Sequence, residues 1–477
     1  MSASHSQSVK EQSKHYGKNI FWLMLVSPTY LLRTLGLVLV LFFNSPLEGN
    51  ASEKVTTFRL DNGLQVVVIE DHRAPVVVNM IWYKVGAADE KMGKSGVAHF
   101  LEHLLFKATT KLKSGEFSKI VEKLGGSDNA FTSWDYTAYY QRVSRDHLGL
   151  MMELEADRMK NIKLTKLDIE TERKVVLEER AQRTDSNPGS LFAEQRRAAI
   201  YLNHPYGIPI IGWRHEIEQL NLEDTLAFYS EYYSPSSAIV IVAGDVTPTE
   251  VKELAIKHYG ALKPNVDFKE RRRNIEPPHL AERRIVFEDK RVSQPYVIRT
   301  YLAEERNPGD QKKAAIYTVL AELLGGNETT SVLGKALQID TKKALYTSAF
   351  YTGLSHDISN FGLVIVPTEG TTLEQAEVDL DTVIRNFIDD GVDEKQLQRI
   401  KAQIRASEIY AMDDVFGRAR SYGVALTSQL SIEDVKEWPK LLSEVSSEQV
   451  LEIARTLEDK KNAVTGWYTK LPTNEDR

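Results

Sequence analysis

Between residues 56 and 86 apolar positions come in short β-branched blocks separated by turn formers: TFRL, LQVVVIE and APVVVNMIWY. This pattern predicts three strands, with a tight Asn62-Gly63 hairpin loop between the first two and a looser connection at Ala74-Pro75. The spacing then changes. In GKSGVAHFLEHLLFKAT, Val97, Leu101, Leu104 and Leu105 fall on or near one face of a helix. FSKIVEKLG predicts a short helix stopped at Gly125-Gly126, and NAFTSWDYTAYYQRVS alternates as a strand does. LGLMMELEADRMKN and KLDIETERKVVLEERAQR read as two charged amphipathic helices. SAIVIVAGDV is a β-branched run that predicts a buried strand, and TPTEVKELAIKHYG is a helix that opens on Thr-Pro and closes on Gly260.

From Leu262 to Arg284 the chain is charged, contains prolines and has no hydrophobic period, which predicts a linker. Beyond it the order repeats: strands RRIVFEDK and QPYVIRTYLA, helix KKAAIYTVLAELLGG, a strand pair around LYTSAFYTG and NFGLVIVPT, then helices from Thr372. AIYTVLAELLGG falls where GVAHFLEHLLF falls in the first half. The expected fold class is α+β, with two similar domains, each a mainly antiparallel sheet packed against helices, and one site between them. The expected boundaries are 1–51 for a leader, 52–262 for the first domain, 263–284 for the linker and 285–477 for the second domain.

Length agrees with this division, since 477 residues exceed one ordinary core and domains run to roughly 100–200 residues. Net charge is -7, and the basic residues are scattered among acids, so nucleic acid is not an expected partner. The chain has no cysteine. That excludes disulfides, thiolate metal sites and a cysteine nucleophile, and leaves His, Asp and Glu to hold any metal. At the amino terminus, Lys10, Lys14 and Lys18 precede an apolar stretch broken by Pro28 and Arg33. The unbroken run Thr34 to Phe43 has the length of an export-signal core, and Gly49-Asn50-Ala51 is a small-x-small cleavage candidate. We therefore expect export, in a bacterium to the periplasm, with a mature chain starting near Ser52. The alternative is an uncleaved inner-membrane anchor using Ile20 to Phe43 as one kinked span.

His99 and His103 stand four apart in the helical stretch, so both imidazoles can face one ion. Glu102 lies on the neighbouring row, close enough to activate a metal-bound water without having to be a ligand. The plain alternative is a helix with solvated histidines, but VA and LLF flank the motif with apolar residues. A catalytic zinc takes three protein ligands. ETERKVVLEERAQR offers Glu170, Glu172, Glu178 and Glu179 for the third, and spacing alone does not choose among them.

SGVAHFLEHLLFKAT and the later GGSDNAFTSWDYTAYY, NHPYGIPIIG and YYSPSSAIVIVAGDVTPTEV together resemble the pitrilysin and insulinase family of zinc peptidases, including bacterial processing-type members. The resemblance implies a clamshell-like chamber between the two domains and one Zn2+ per chain. It puts the third ligand on Glu179, after an apolar branched run, with Glu172 two helical turns earlier as an auxiliary acid. It also implies that DNAFTSWDYT is a substrate-binding edge strand, with Asn129, Ala130 and Phe131 beside an extended peptide.

One stretch departs from the family. Members often carry an Arg seven residues before a substrate-binding Tyr in the second domain; LQIDTKKALYTSAFY keeps Tyr346 but has Ile339 in that place. Lys342 or Lys343 would substitute, or a partner chain in a homodimer or a heterodimer with a related subunit would supply the group. The expected function is a zinc metalloendopeptidase acting on peptides or unfolded segments, with Glu102 as general base. The alternative is a non-catalytic peptide-binding or assembly subunit of a paired peptidase.

Overall fold

The computed structural model describes residues 54–266 and 271–471. The amino-terminal segment expected to direct export lies outside the described residues. Among those described, no helix is long and apolar enough to cross a membrane.

The first three strands form as the apolar blocks predict: β1 (Val55–Arg59), β2 (Gln65–Glu70) and β3 (Val76–Tyr83). The β1–β2 loop is longer than the two-residue hairpin expected. Leu60 N–H donates to Leu64 O, and only Gly63 takes a positive φ, of 87°, which makes a three-residue turn. Asn62 instead turns its amide to the carbonyls of Tyr259 and Leu262, at 2.8 and 3.0 Å. Helix α1 (Val97–Leu104) follows, then the two-residue strand β4 (Ala108–Thr109), helix α2 (Glu116–Lys123) and strands β5 (Ser127–Thr132) and β6 (Thr137–Ser144). Next come α3 (Leu148–Lys160), β7 (Ile162–Lys163), α4 (Lys166–Arg180), α5 (Pro188–Ile200), α6 (Leu222–Tyr232), β8 (Ala238–Gly244) and α7 (Pro248–Tyr259). Six strands make one sheet in the order β1-β2-β8-β3-β6-β5, antiparallel except for the β2–β8 pair, while β4 and β7 pair with each other. Both faces of β8 are buried, which explains its unbroken apolar run.

The second half contains β9 (Arg283–Asp289), β10 (Tyr296–Ala303), α8 (Lys312–Gly325), β11 (Ala344–Tyr351), β12 (Ser359–Pro367) and α9 (Leu373–Asp390). It ends with α10 (Glu394–Ala411), α11 (Val415–Thr427), α12 (Ile432–Glu444), α13 (Ser447–Thr456) and β13 (Ala463–Lys470). The sequence reading ended in helices and missed β13, which enters the sheet between β10 and β9. The order β11-β12-β10-β13-β9 repeats β5-β6-β3-β8-β2, including one parallel pair in the same place, β13 with β9. Two similar α+β halves, each with a mainly antiparallel sheet against helices, are therefore present, and α8 occupies the topological place of α1.

The halves exchange a helix. On one face of the first sheet, Val66, Val68, Ile81 and Val242 pack with the helices of their own half. On the other, Val67, Met80, Trp82 and Ile241 pack against Ala419, Tyr422 and Leu426 of α11. In return, Phe192 of α5 is buried against Ile298 and Tyr468 of the second sheet. Glycine allows each close approach: a Cβ at Gly423 would meet the Trp82 ring at 2.0 Å, and one at Gly466 would meet the Phe192 ring at 2.5 Å. The charged stretch expected to be a linker is also tied down. Glu276 accepts the backbone N–H groups of Leu202, Asn203 and His204 at 2.6 to 3.0 Å. Arg273 binds Asp89 and Asp135 of the first half and, at 2.9 Å, Asp357 of the second.

Because α11 reaches Trp82 through a residue without a side chain, Gly423→Leu should overpack the contact and destabilise the chain by about 1–3 kcal/mol. A lower urea midpoint measures this; an unchanged midpoint would mean that α11 does not seat on this sheet.

Candidate metal centre

Helix α1 is fixed at its start by groups distant in sequence. Gly96 has φ of 89° and lies against the backbone of Ile211, where a Cβ would meet the carbonyl oxygen at 2.5 Å. The buried carboxylate of Glu90 accepts the N–H groups of Gly96 and Ala98 at 2.9 and 2.8 Å, capping the helix. Val97, Ala98, Phe100, Leu101 and Leu104 enter the core, so the opposite face presents His99, Glu102 and His103. Helix α1 packs on α4 and α6 and against β5.

Helix α4 begins with a capping box, Thr165 with Asp168, and buries Ile169, Glu172, Val176 and Arg180. Arg180 anchors its far end through paired bonds to Glu194 at 2.8 and 3.0 Å and one to Gly212 O at 2.9 Å. The helix then widens into a π-helical turn at Ala181–Asp185, immediately after Glu179.

Of the four glutamates left open by spacing, Glu179 is the one brought to both histidines. Its Oε2 lies 3.3 Å from His103 Nε2 and 3.7 Å from His99 Nε2. Its Oε1 is held by Arg183 Nη1 at 2.5 Å. Glu172 binds the other nitrogen of His103, Nδ1, at 2.9 Å, and takes Lys107 Nζ on its second oxygen at 2.6 Å. Glu102 accepts the Thr132 hydroxyl at 2.5 Å.

The electrostatics follow from these contacts. Burial, reinforced by the charge on His103, lowers the pKa of His99 and keeps it neutral. Burial alone would lower His103 too, but its bond to Glu172 and the nearby Glu179 carboxylate outweigh that and push it up to about 9. The His103 bond, helped by Lys107, holds Glu172 below the ordinary carboxylate value. Glu179 is likewise lowered, first by His103. Glu102 is raised because it is buried, and the Thr132 hydroxyl opposes that shift.

The donor set fits a metal ion. One ligand atom from each of His99, His103 and Glu179 lies within 4.8 Å of the others. Two bonds of about 2.0–2.1 Å at the tetrahedral angle would set ligand atoms about 3.3 Å apart, near the two distances to Glu179. Glu179 Oε2 is buried without a hydrogen bond, an orphan acceptor aimed at the imidazoles. Glu172 takes the Nδ1 proton of His103, so a cation that displaces the Nε2 proton would meet a ring lone pair and the Glu179 oxygen together. His, His and Glu is also a donor set that suits zinc.

Strand β5 is an edge of the first sheet. Ser133 N–H donates to Tyr136 O, which sets the ladder phase so that Ala130 turns its N–H to the open side, where Oδ1 of Asn129 accepts it at 2.8 Å. Ala130 thus has its main-chain groups on the free edge, with the Asn129 side-chain oxygen beside them, while the ladder bonds of Asn129 itself point to β6. Phe131 is turned differently. Its ring packs on Trp82 and Tyr136 at 5.2 and 6.0 Å, on the face covered by α11, and its ladder bonds point to β6.

Among the described residues, every hydrogen bond and ion pair of His99, Glu102, His103, Glu172 and Glu179 comes from the first half, whereas the sequence led us to expect a site between the halves. Tyr346 lies on β11, the edge of the second sheet, 43% exposed and without a contact to the cluster. Lys343 is engaged with Asp379 at 2.7 Å, and Lys342 is exposed with φ of 52°. The sequence reading missed Lys107, Thr132 and Arg183. Arg183 follows Glu179 by one helical turn, a spacing that pairs them, whereas Lys107 lies past the end of α1 and meets Glu172 only through the fold. Nothing local marks Thr132.

Two family models match the chain: residues 65–213 match the insulinase family, peptidase family M16, and residues 219–404 match the M16 inactive domain. Zinc protease PqqE of Helicobacter pylori is 33% identical over 374 residues, 76% of this chain and 82% of the relative. The crystal structure of a protease from Helicobacter pylori superposes with a TM-score of 0.81 at 29% identity, covering 87% of this chain and 99% of that one. The periplasmic protease PqqL of Escherichia coli shares the fold, with a TM-score of 0.75 at 20% identity over 87% of this chain, which spans 48% of PqqL. The chain belongs to the insulinase family of peptidases, family M16, whose relatives are named zinc proteases.

Proposed function

We propose that this chain is a zinc-dependent metalloendopeptidase that hydrolyses peptides or unfolded segments, with one zinc held by His99, His103 and Glu179. The observation that carries the reading is the buried, unpartnered Glu179 oxygen facing two imidazoles from another helix. When bound, the ion supplies Lewis-acid polarisation and an acidified water.

The chain's own groups supply the rest. Glu172 accepts the Nδ1 proton of His103, which fixes the tautomer that leaves Nε2 free to bind. Lys107 keeps Glu172 ionised and in place. Glu102 is the general base. One of its oxygens holds the Thr132 hydroxyl, which leaves the other to take a water proton and deliver it to the leaving amine. Its burial raises its proton affinity toward that task. The free edge of β5 pairs with an extended peptide through the main-chain groups of Ala130, with the Asn129 side-chain amide beside them, so substrate is held with little regard to sequence. Phe131 supports that strand from behind.

This chain spans about half of PqqL, which supports a second copy or a related subunit as the other wall of a chamber and as the source of a Tyr346-type contact. The apolar amino-terminal pattern supports export, and PqqL itself is periplasmic. The reading of a non-catalytic subunit rests on Ile339 in the place of the family's Arg; the full set of Glu102, His99, His103 and Glu179 in one cluster weighs against it.

Glu102→Gln should retain about one zinc per chain and lose about 10²–10⁴-fold in cleavage of a quenched unstructured peptide. Normal cleavage by that variant would refute the mechanism. Glu179→Gln should lose zinc on dialysis, and chelation of the wild type should abolish activity that zinc restores; metal analysis checks both. Lys107→Met should weaken zinc binding by about 10-fold or more in a chelator competition, with Lys107→Arg intermediate.

A further inference from the structure

Two adjacent arginines of α5, Arg196 and Arg197, have no carboxylate partner among the described residues. They line a cavity of 280 Å³ together with Trp134, Ile200, Ile210 and Ile211. The one acid on its wall, Glu194, has both oxygens on Arg180. Arg197 lies over the Trp134 ring at 4.0 Å and makes no hydrogen bond among the described residues. Arg196 donates to Thr300 Oγ1 at 2.5 Å through Nη1, and its Nε is buried without a partner. Burial, then the charge on Arg197, pushes Arg196 down to about 10, and burial lowers Arg197 as well.

Partly buried like charges with unfilled donors are costly, and an anion with oxygen acceptors relieves both terms. A guanidinium fork matches a carboxylate in particular. The isoleucines suit the apolar stem that carries such a group. Two of the cavity's wall residues are close along the chain to the site: Trp134 lies two residues beyond Thr132, which holds Glu102, and Thr184 lies five beyond Glu179.

We propose that Arg196 and Arg197 form a subsite for a carboxylate of the peptide substrate, carried either by an acidic side chain or by the chain terminus. The proposal rests on the peptidase reading and names a preference within it. Carboxyl-amidated quenched peptides with Glu or Gln at one position at a time test the side chain, and one sequence ending in an acid or an amide tests the terminus. With the zinc-loaded full chain, one of these pairs should show an acid preference in kcat/KM of about tenfold, mostly in KM. The ratio should fall toward one in Arg197→Met and Arg196→Met. In the wild type, acetate should inhibit cleavage of the preferred acid peptide more than that of its amide, a measurement that does not require the variants to fold. Ratios near one throughout, a ratio that survives both substitutions, or equal inhibition by acetate would overturn the proposal. If no peptide is cleaved, the same labelled pairs are bound to the zinc-loaded Glu102→Gln chain and followed by anisotropy. An acid preference there keeps the subsite although the peptidase reading has failed; equal affinities overturn the subsite.

Discussion

The centre depends on holding a carboxylate oxygen out of water, without a hydrogen bond, against two imidazoles. Glu179 reaches that position because α4 packs on α1, and the neighbouring contacts fix how. Arg180 clamps the end of α4 to α5 and to the loop at Gly212, while Gly96 and Gly212 let the same loop touch the start of α1. One short loop therefore sets the spacing of both ligand-bearing helices. Arg183 occupies the outer oxygen of Glu179, so the inner one has a single direction to serve.

Charge is distributed around this point in a graded way. Glu172 and Lys107 stabilise His103 from behind, and Thr132 connects Glu102 to the edge strand β5. The strand carrying Thr132 is paired only on one side, so its open N–H and C=O groups lie next to the base. The proposed base and the open strand edge thus lie within one turn of helix and a few residues of strand. Arg196 and Arg197 add positive charge that lacks a carboxylate partner among the described residues.

The second half contributes to rigidity. It repeats the first sheet's topology but replaces the histidine helix with α8, an apolar helix without histidine. Its α11 covers the face of the first sheet behind β5, where Phe131 and Trp82 pack, and Arg420 lies 5.2 Å from the Phe131 ring. Strand β5 is therefore backed by the other half of the chain, and the exchange of α5 for α11 couples both sheets.

How much of this was legible depended on the range of the forces involved. Periodicity located the helix of His99 and His103, the buried strand β8 and the doubled order of elements, because burial imposes those patterns on neighbouring residues. Intra-helical spacing accounted for the motif, and resemblance selected Glu179 from four glutamates that spacing could not separate. Packing across the chain decided the rest. The polar stretch around Arg273 looked solvated because its partners, Asp89, Asp135 and Asp357, are far away in sequence. Strand β13 was missed because Ala463–Lys470 becomes a central strand only when β9 and β10 flank it. Phe131 could not be assigned to a face until the ladder phase was known, since a shift of one residue reverses every side chain. The sequence determined which groups could bind and activate; only the tertiary structure decided which met, because a hydrogen bond or a ligand contact acts over a few ångströms of space whatever the separation along the chain.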